Sequence, residues 1–137
     1  LAVPTAEKES TLGAWSDARV RVAYQVPGDG KATCSTSFED ALLLENRAWF
    51  QALPPTTSGA LGAMMRLAVK QANDAELAAV AHKTLASKFD KGAFALDLLV
   101  ALPRVAEPGG KQFQCPRYVR EGLAWLDGQL SDQGAGA

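Results

Sequence analysis

With 137 residues, 47% of them hydrophobic, the chain holds enough apolar material for one core, so one domain or part of one is the starting expectation. Its 14 Lys and Arg stand against 15 Asp and Glu, a formal net charge of -1, which excludes a global attraction to nucleic acid and leaves only a local basic site. Cys34 and Cys115 lack a Cys-x-x-Cys spacing and His82 is the single histidine, so a disulfide framework, a thiolate zinc site and a His-rich metal site are disfavoured, and hard oxygen-ligated ions such as Mg2+ or Mn2+ are the class left. No apolar run approaches the roughly 20 residues of a membrane span, and Leu1-Ala-Val-Pro4 lacks the flank and apolar stretch of a signal peptide. A soluble, cytoplasmic protein is expected. The absence of an initiating Met and the polar, irregular opening read as a fragment of something longer.

Residues 1 to 18 carry little pattern beyond Trp15, and then Arg19 to Val26 alternates charged and β-branched residues as a half-buried strand does, ending at Pro27-Gly-Asp-Gly30. Ser37-Phe-Glu-Asp-Ala-Leu-Leu-Leu-Glu-Asn46 opens a helix. Ser37 stands three residues before Asp40 and Thr36 three before Glu39, a capping pattern, and the helix is predicted to run to Pro54-Pro55. Phe38, Leu42, Trp49 and Leu53 form its expected buried stripe. Glu39 and Asn46, seven residues apart, fall nearly on one line of the helix surface.

After a linker at 56 to 59, Leu61, Met64, Met65 and Ala68 mark a second helix ending near Asn73, and Asp74 is expected to cap a third with Leu77, Ala81 and Leu85 on one face. These two Ala-rich helices read as an antiparallel hairpin, a packing module. Asp90 then caps a helix whose core face is Phe94, Leu98 and Leu102. Lys91 sits in its first turn, where a cation opposes the helix dipole by some tenths of a kcal/mol, so helix stability does not account for it. Residues 104 to 114 read as loop. A last helix begins at Pro116, with Val119, Leu123, Leu126 and Leu130 down one side, and the Gly- and Ala-rich tail after Ser131 is expected to be disordered.

Four segments occur in an order and at separations that resemble one family: Ala23-Tyr-Gln-Val-Pro27, Ser37-Phe-Glu-Asp-Ala41 with Asn46, Lys91-x-x-Phe-Ala-Leu96, and Pro116-x-Tyr-Val-x-Glu-Gly-Leu-x-Trp-Leu126. Over residues 19 to 128 the chain looks like the C-terminal part of an ATP-dependent endonuclease of the OLD (overcoming lysogenization defect) family, which joins an ABC-type ATPase to a topoisomerase-primase (Toprim) nuclease domain carrying an inserted helical domain. The resemblance implies a mainly α chain with one or two β-strands, the C-terminal fragment of an α/β Toprim fold. Residues 1 to 30 would hold the strand-containing part, 31 to 103 the helical insertion and return helix, 104 to 130 the C-terminal packing helix, and 131 to 137 the tail.

By the same resemblance Glu39 is a carboxylate ligand of Mg2+ or Mn2+, and Lys91 faces the scissile phosphate. The chemistry suits both: a carboxylate is a hard oxygen ligand, an ammonium offsets charge on the phosphorane-like transition state, and two ions about 3.5–4 Å apart would clamp the attacking and leaving oxygens. DNA is the implied partner, a homo-oligomer is implied through the parent protein, and ATP belongs to a domain outside this chain. Arg117 and Arg120, beside Tyr118, are candidates for DNA-backbone contact.

The sequence also departs from the family pattern. Ala93 replaces an acidic residue often found in the lysine motif, and Thr36 a basic one often found before Ser-Phe-Glu. The glutamate pair and Asp-x-Asp of the Toprim core are missing, since Glu7, Glu9 and Asp17 form neither. The fragment alone is expected to be inactive. Read without the resemblance, Glu39 is a first-turn acid suited to the helix dipole, Lys91 and the two arginines are solvated charges, Asn46 satisfies neighbouring backbone, and the chain is a non-catalytic helical interaction or oligomerisation module.

Overall fold

The structure is a computed structural model that describes residues 21, 23, 25, 35–87, 89–102 and 112–134. It contains six helices among these residues: α1 (Phe38–Glu45), α2 (Arg47–Gln51), α3 (Gly59–Lys70), α4 (Asp74–Ser87), α5 (Lys91–Ala101) and α6 (Arg117–Gly134). The fold is mainly α. Most of the strand expected over 19 to 26 lies outside the described residues, and Arg21, Ala23 and Gln25 carry no regular secondary structure. Two compact units divide the chain, one comprising Ser35–Gln114 and the other the two flanking segments. Among the described residues no helix is long and apolar enough to cross a membrane.

In the Ser35–Gln114 unit α1 contributes a continuous run of buried residues to the core. Ala41, Leu42, Leu43 and Leu44 are consecutive and all buried, so the helix meets protein around most of its circumference. It packs on α4 and leads into α2, which packs on α3, while α3 contacts both α4 and α5. The spacing 61, 64, 65, 68 on α3 and 77, 81, 85 on α4 places each set on one face, and every one of these side chains is buried. Each large aliphatic side chain so enclosed contributes about 1.5–3 kcal/mol relative to exposure. Trp49 stands edge-on to Phe50 and Phe113, with ring centroids 5.2 and 5.0 Å away, which ties α2 to the segment before Gln114.

Four local expectations are corrected. The helix expected to run unbroken from Ser37 towards Pro54 is interrupted at Asn46, whose φ of -108° and ψ of 21° depart from helical values. The Asn46 amide donates to the carbonyls of Leu42 and Gln114 at 2.9 and 2.8 Å, and its Oδ1 accepts from the Gln114 N–H at 2.6 Å, so a long-range bridge outcompetes helix continuity. Phe38, placed in the buried stripe, is 46% exposed, while Asp40 of the same first turn is the residue that is buried.

Asn73, not Asp74, caps α4: its Oδ1 accepts from the Glu76 N–H at 2.9 Å and its amide donates to Glu76 Oε1 at 3.1 Å. Asp74 instead pairs with Arg47 at 3.1 Å, and that guanidinium also donates to the Gln71 carbonyl near the end of α3. Finally, α6 continues through Gly134, so Ser131 to Gly134 are helical, not disordered; residues 135–137 lie outside the described ones. Leu123, Leu126 and Leu130 on α6 are exposed.

Candidate functional site

The stretch Thr36 to Asp40 is organised locally. Ser37 is extended, its hydroxyl accepts from the Asp40 N–H at 3.3 Å, and the Asp40 carboxylate accepts back from the Ser37 N–H at 2.5 Å. This reciprocal pair satisfies two N–H groups that a helix start leaves unpaired. The same carboxylate accepts the N–H and the hydroxyl of Thr36, each at 2.9 Å, so a buried acid is compensated by several donors. With Asp40 held inward, Glu39 is rotated about 100° around the helix and faces a different neighbour.

That neighbour is Lys91, whose Nζ donates to Glu39 Oε2 at 3.0 Å. Asp90 starts α5 by accepting from the Ala93 N–H at 2.9 Å, which places Lys91 in the first turn, and the Glu39 carboxylate offsets the unfavourable encounter of that cation with the helix dipole. The two residues stand 52 positions apart in the chain. The Lys91 side chain is 53% exposed and that of Glu39 is 12% exposed. Burial pushes the Glu39 carboxyl up, but the Lys91 hydrogen bond, its own N–H, Ser37 and the Lys91 charge outweigh it, and the net pKa is lowered.

His82, from α4, reaches the same short stretch, with Nδ1 2.7 Å from Thr36 Oγ1. Side chains from two helices therefore converge on Thr36 to Glu39, one imidazole and one ammonium. Asn46 does not take part. It is buried and holds backbone, so the near-alignment of positions 39 and 46 has no counterpart in a shared site. On α6, Arg117 donates from Nε to Glu121 Oε1 at 2.6 Å, an i,i+4 pair, and Arg120 is exposed.

Among the described residues no three of His, Cys, Asp and Glu gather closely enough to share an ion. Glu39 is one carboxylate, engaged by an ammonium, and a site for a divalent ion would need further oxygen ligands from outside these residues. Comparison with family models, with curated proteins and with solved structures finds no match to this chain.

Sequence reasoning singled out Glu39 and Lys91 and the structure brings them together; it passed over His82 and the hydroxyl role of Thr36. No local signal marks that contact, since 46 positions separate the two residues.

Proposed function

We propose that this chain is the C-terminal, nuclease-region part of a divalent-metal-dependent DNA endonuclease of the OLD type, coupled in the parent protein to an ATPase domain outside this sequence. The observation that carries the reading is the Glu39–Lys91 contact at 3.0 Å: two separate motif matches each pointed to one of these residues. The lowered pKa of Glu39 keeps it ionised at neutral pH, the form in which a carboxylate can ligate a metal. Bound Mg2+ or Mn2+ would polarise the phosphate and activate water, and Glu39 is the residue here that would help hold it.

Lys91 has three N–H donors and spends one on Glu39, so an exposed ammonium held by its partner retains donors for a phosphate oxygen. Its charge offsets the negative charge that grows on phosphorus-bound oxygens during hydrolysis. The exposed Leu96 and Leu99 on α5, at 66% and 67%, favour the competing reading of a helical interaction or oligomerisation module.

Supercoiled-plasmid cleavage by the full-length parent, with Mg2+ or Mn2+ against EDTA, decides between them. Metal-dependent cutting that Glu39→Ala and Lys91→Ala both abolish while remaining folded supports the nuclease reading. Full cutting by both variants removes these residues from the site, and no cutting by folded wild type favours the interaction module.

A further inference from the structure

We propose that His82 is an acid–base residue of this site, holding its own proton on Nδ1 through the Thr36–Asp40 chain and exchanging a second proton at Nε2. The inference rests on the nuclease reading above, but its geometry stands independently. Asp40 is a buried carboxylate at the capping turn of α1, and a carboxylate only accepts. Thr36 Oγ1, at 2.9 Å from Asp40 Oδ2, therefore spends its single hydrogen on that acid.

The hydroxyl can then meet His82 Nδ1, 2.7 Å away, only as an acceptor, so the ring carries its proton on Nδ1. Nε2 is left with a lone pair, on a side chain that is exposed. When Nε2 takes up a proton the Nδ1–H donor is unchanged, and the chain to Asp40 survives the exchange. This is the arrangement by which an acid orients an imidazole for proton transfer, here with a hydroxyl interposed.

His82 and Lys91 come from different helices and contact Thr36 and Glu39, three positions apart at the start of α1, so the proposed proton acceptor and the proposed phosphate-facing cation meet the same short stretch of chain. In hydrolysis the oxygen of a water forms the new bond to phosphorus, and the water's proton passes to Nε2. The bond from phosphorus to the sugar oxygen breaks, that oxygen takes a proton from solvent, and His82 later releases its proton to solvent. A diester and one water thus become a monoester and an alcohol.

Because His82 is the chain's single histidine, 15N NMR of histidine-labelled protein reads its tautomer without ambiguity. The expected result is hydrogen on Nδ1 in the neutral ring, lost in favour of Nε2–H when Thr36→Val removes the acceptor hydroxyl. An Nε2–H tautomer in wild type overturns the proposal. In the full-length protein, His82→Asn keeps a donor towards Thr36 but has no Nε2, and plasmid cleavage should fall about 100-fold or more. Added imidazole should restore part of the activity of His82→Ala, which a purely structural role would not produce.

Full cleavage by His82→Asn beside an active wild type removes His82 alone from the mechanism. A folded wild type that makes no cut with either Mg2+ or Mn2+ removes the nuclease reading and this role together.

Discussion

The starts of α1 and α3 solve one physical problem in two ways. Each helix begins with N–H groups that have no intrahelical partner. At α1 the answer is local: Ser37 and Asp40, three residues apart, cap each other's backbone. At α3 the cap residue Ser58 makes no side-chain cap bond, and Asp97 on α5 supplies the oxygen instead, accepting from the N–H groups of Ala60 and Leu61 at 3.0 and 3.3 Å. The first device stabilises a helix; the second also fastens one helix to another. A local cap survives wherever its helix goes, whereas a borrowed cap exists only when α5 is docked.

The largest effect should come from Gly59→Ala. Gly59 has φ of +65°, and a Cβ there would stand 2.7 Å from Asp97 Oδ2. The left-handed backbone costs a side chain about 1–2 kcal/mol, and displacing Asp97 weakens the cap as well, so a loss of about 2–3 kcal/mol is expected in urea unfolding. Asp97→Ala should cost about 1–2 kcal/mol, because it strips the acceptor from two N–H groups of which Leu61 belongs to a buried residue. In hydrogen exchange, Asp97→Ala should speed the first-turn amides of α3 and leave those of α1 alone; equal speeding at both ends would break the contrast.

Ser37→Ala should cost about 0.5–1 kcal/mol, at the low end for a cap, since the Asp40 carboxylate keeps its bonds to the N–H groups of Thr36 and Ser37. Smallest is the Glu39–Lys91 tie, between a half-exposed ammonium and a largely covered carboxylate, where screening at the exposed end holds the contribution to about 0.2–1 kcal/mol. The folded-state pKa of Glu39 is lowered, so this stabilisation is present above the unfolded carboxylate pKa, near 4.3, and disappears as the pH falls through the lower folded value. Urea midpoints of wild type and Lys91→Met should differ at pH 6 and converge towards pH 3. A difference that persists at the lowest pH would show that Lys91 acts through its hydrocarbon stem.

Much of the Ser35–Gln114 unit was legible because its signals are short-range. The 3- and 4-residue spacing of Leu61, Met64, Met65 and Ala68 requires only helical periodicity, and the Ser37–Asp40 box lies within one turn. Asn46 misled for the same reason: periodicity alone continues the helix, and the competing bonds to Gln114 come from 68 positions away. The exposed α6 leucines show the other limit, since a stripe names the face a helix would bury without naming what covers it.

The sequence by itself determined where the chain turns helical, which residues could cap locally, and that an acid at 39 and a cation at 91 lacked a helix-internal reason in the case of Lys91. Tertiary structure decided that Lys91 finds Glu39, that His82 finds Thr36, and that Asp97 caps a helix it does not belong to. The physical reason is separation: capping and periodicity act over three or four residues, while these contacts join positions 37 to 52 apart and exist only once the core has set the helices side by side.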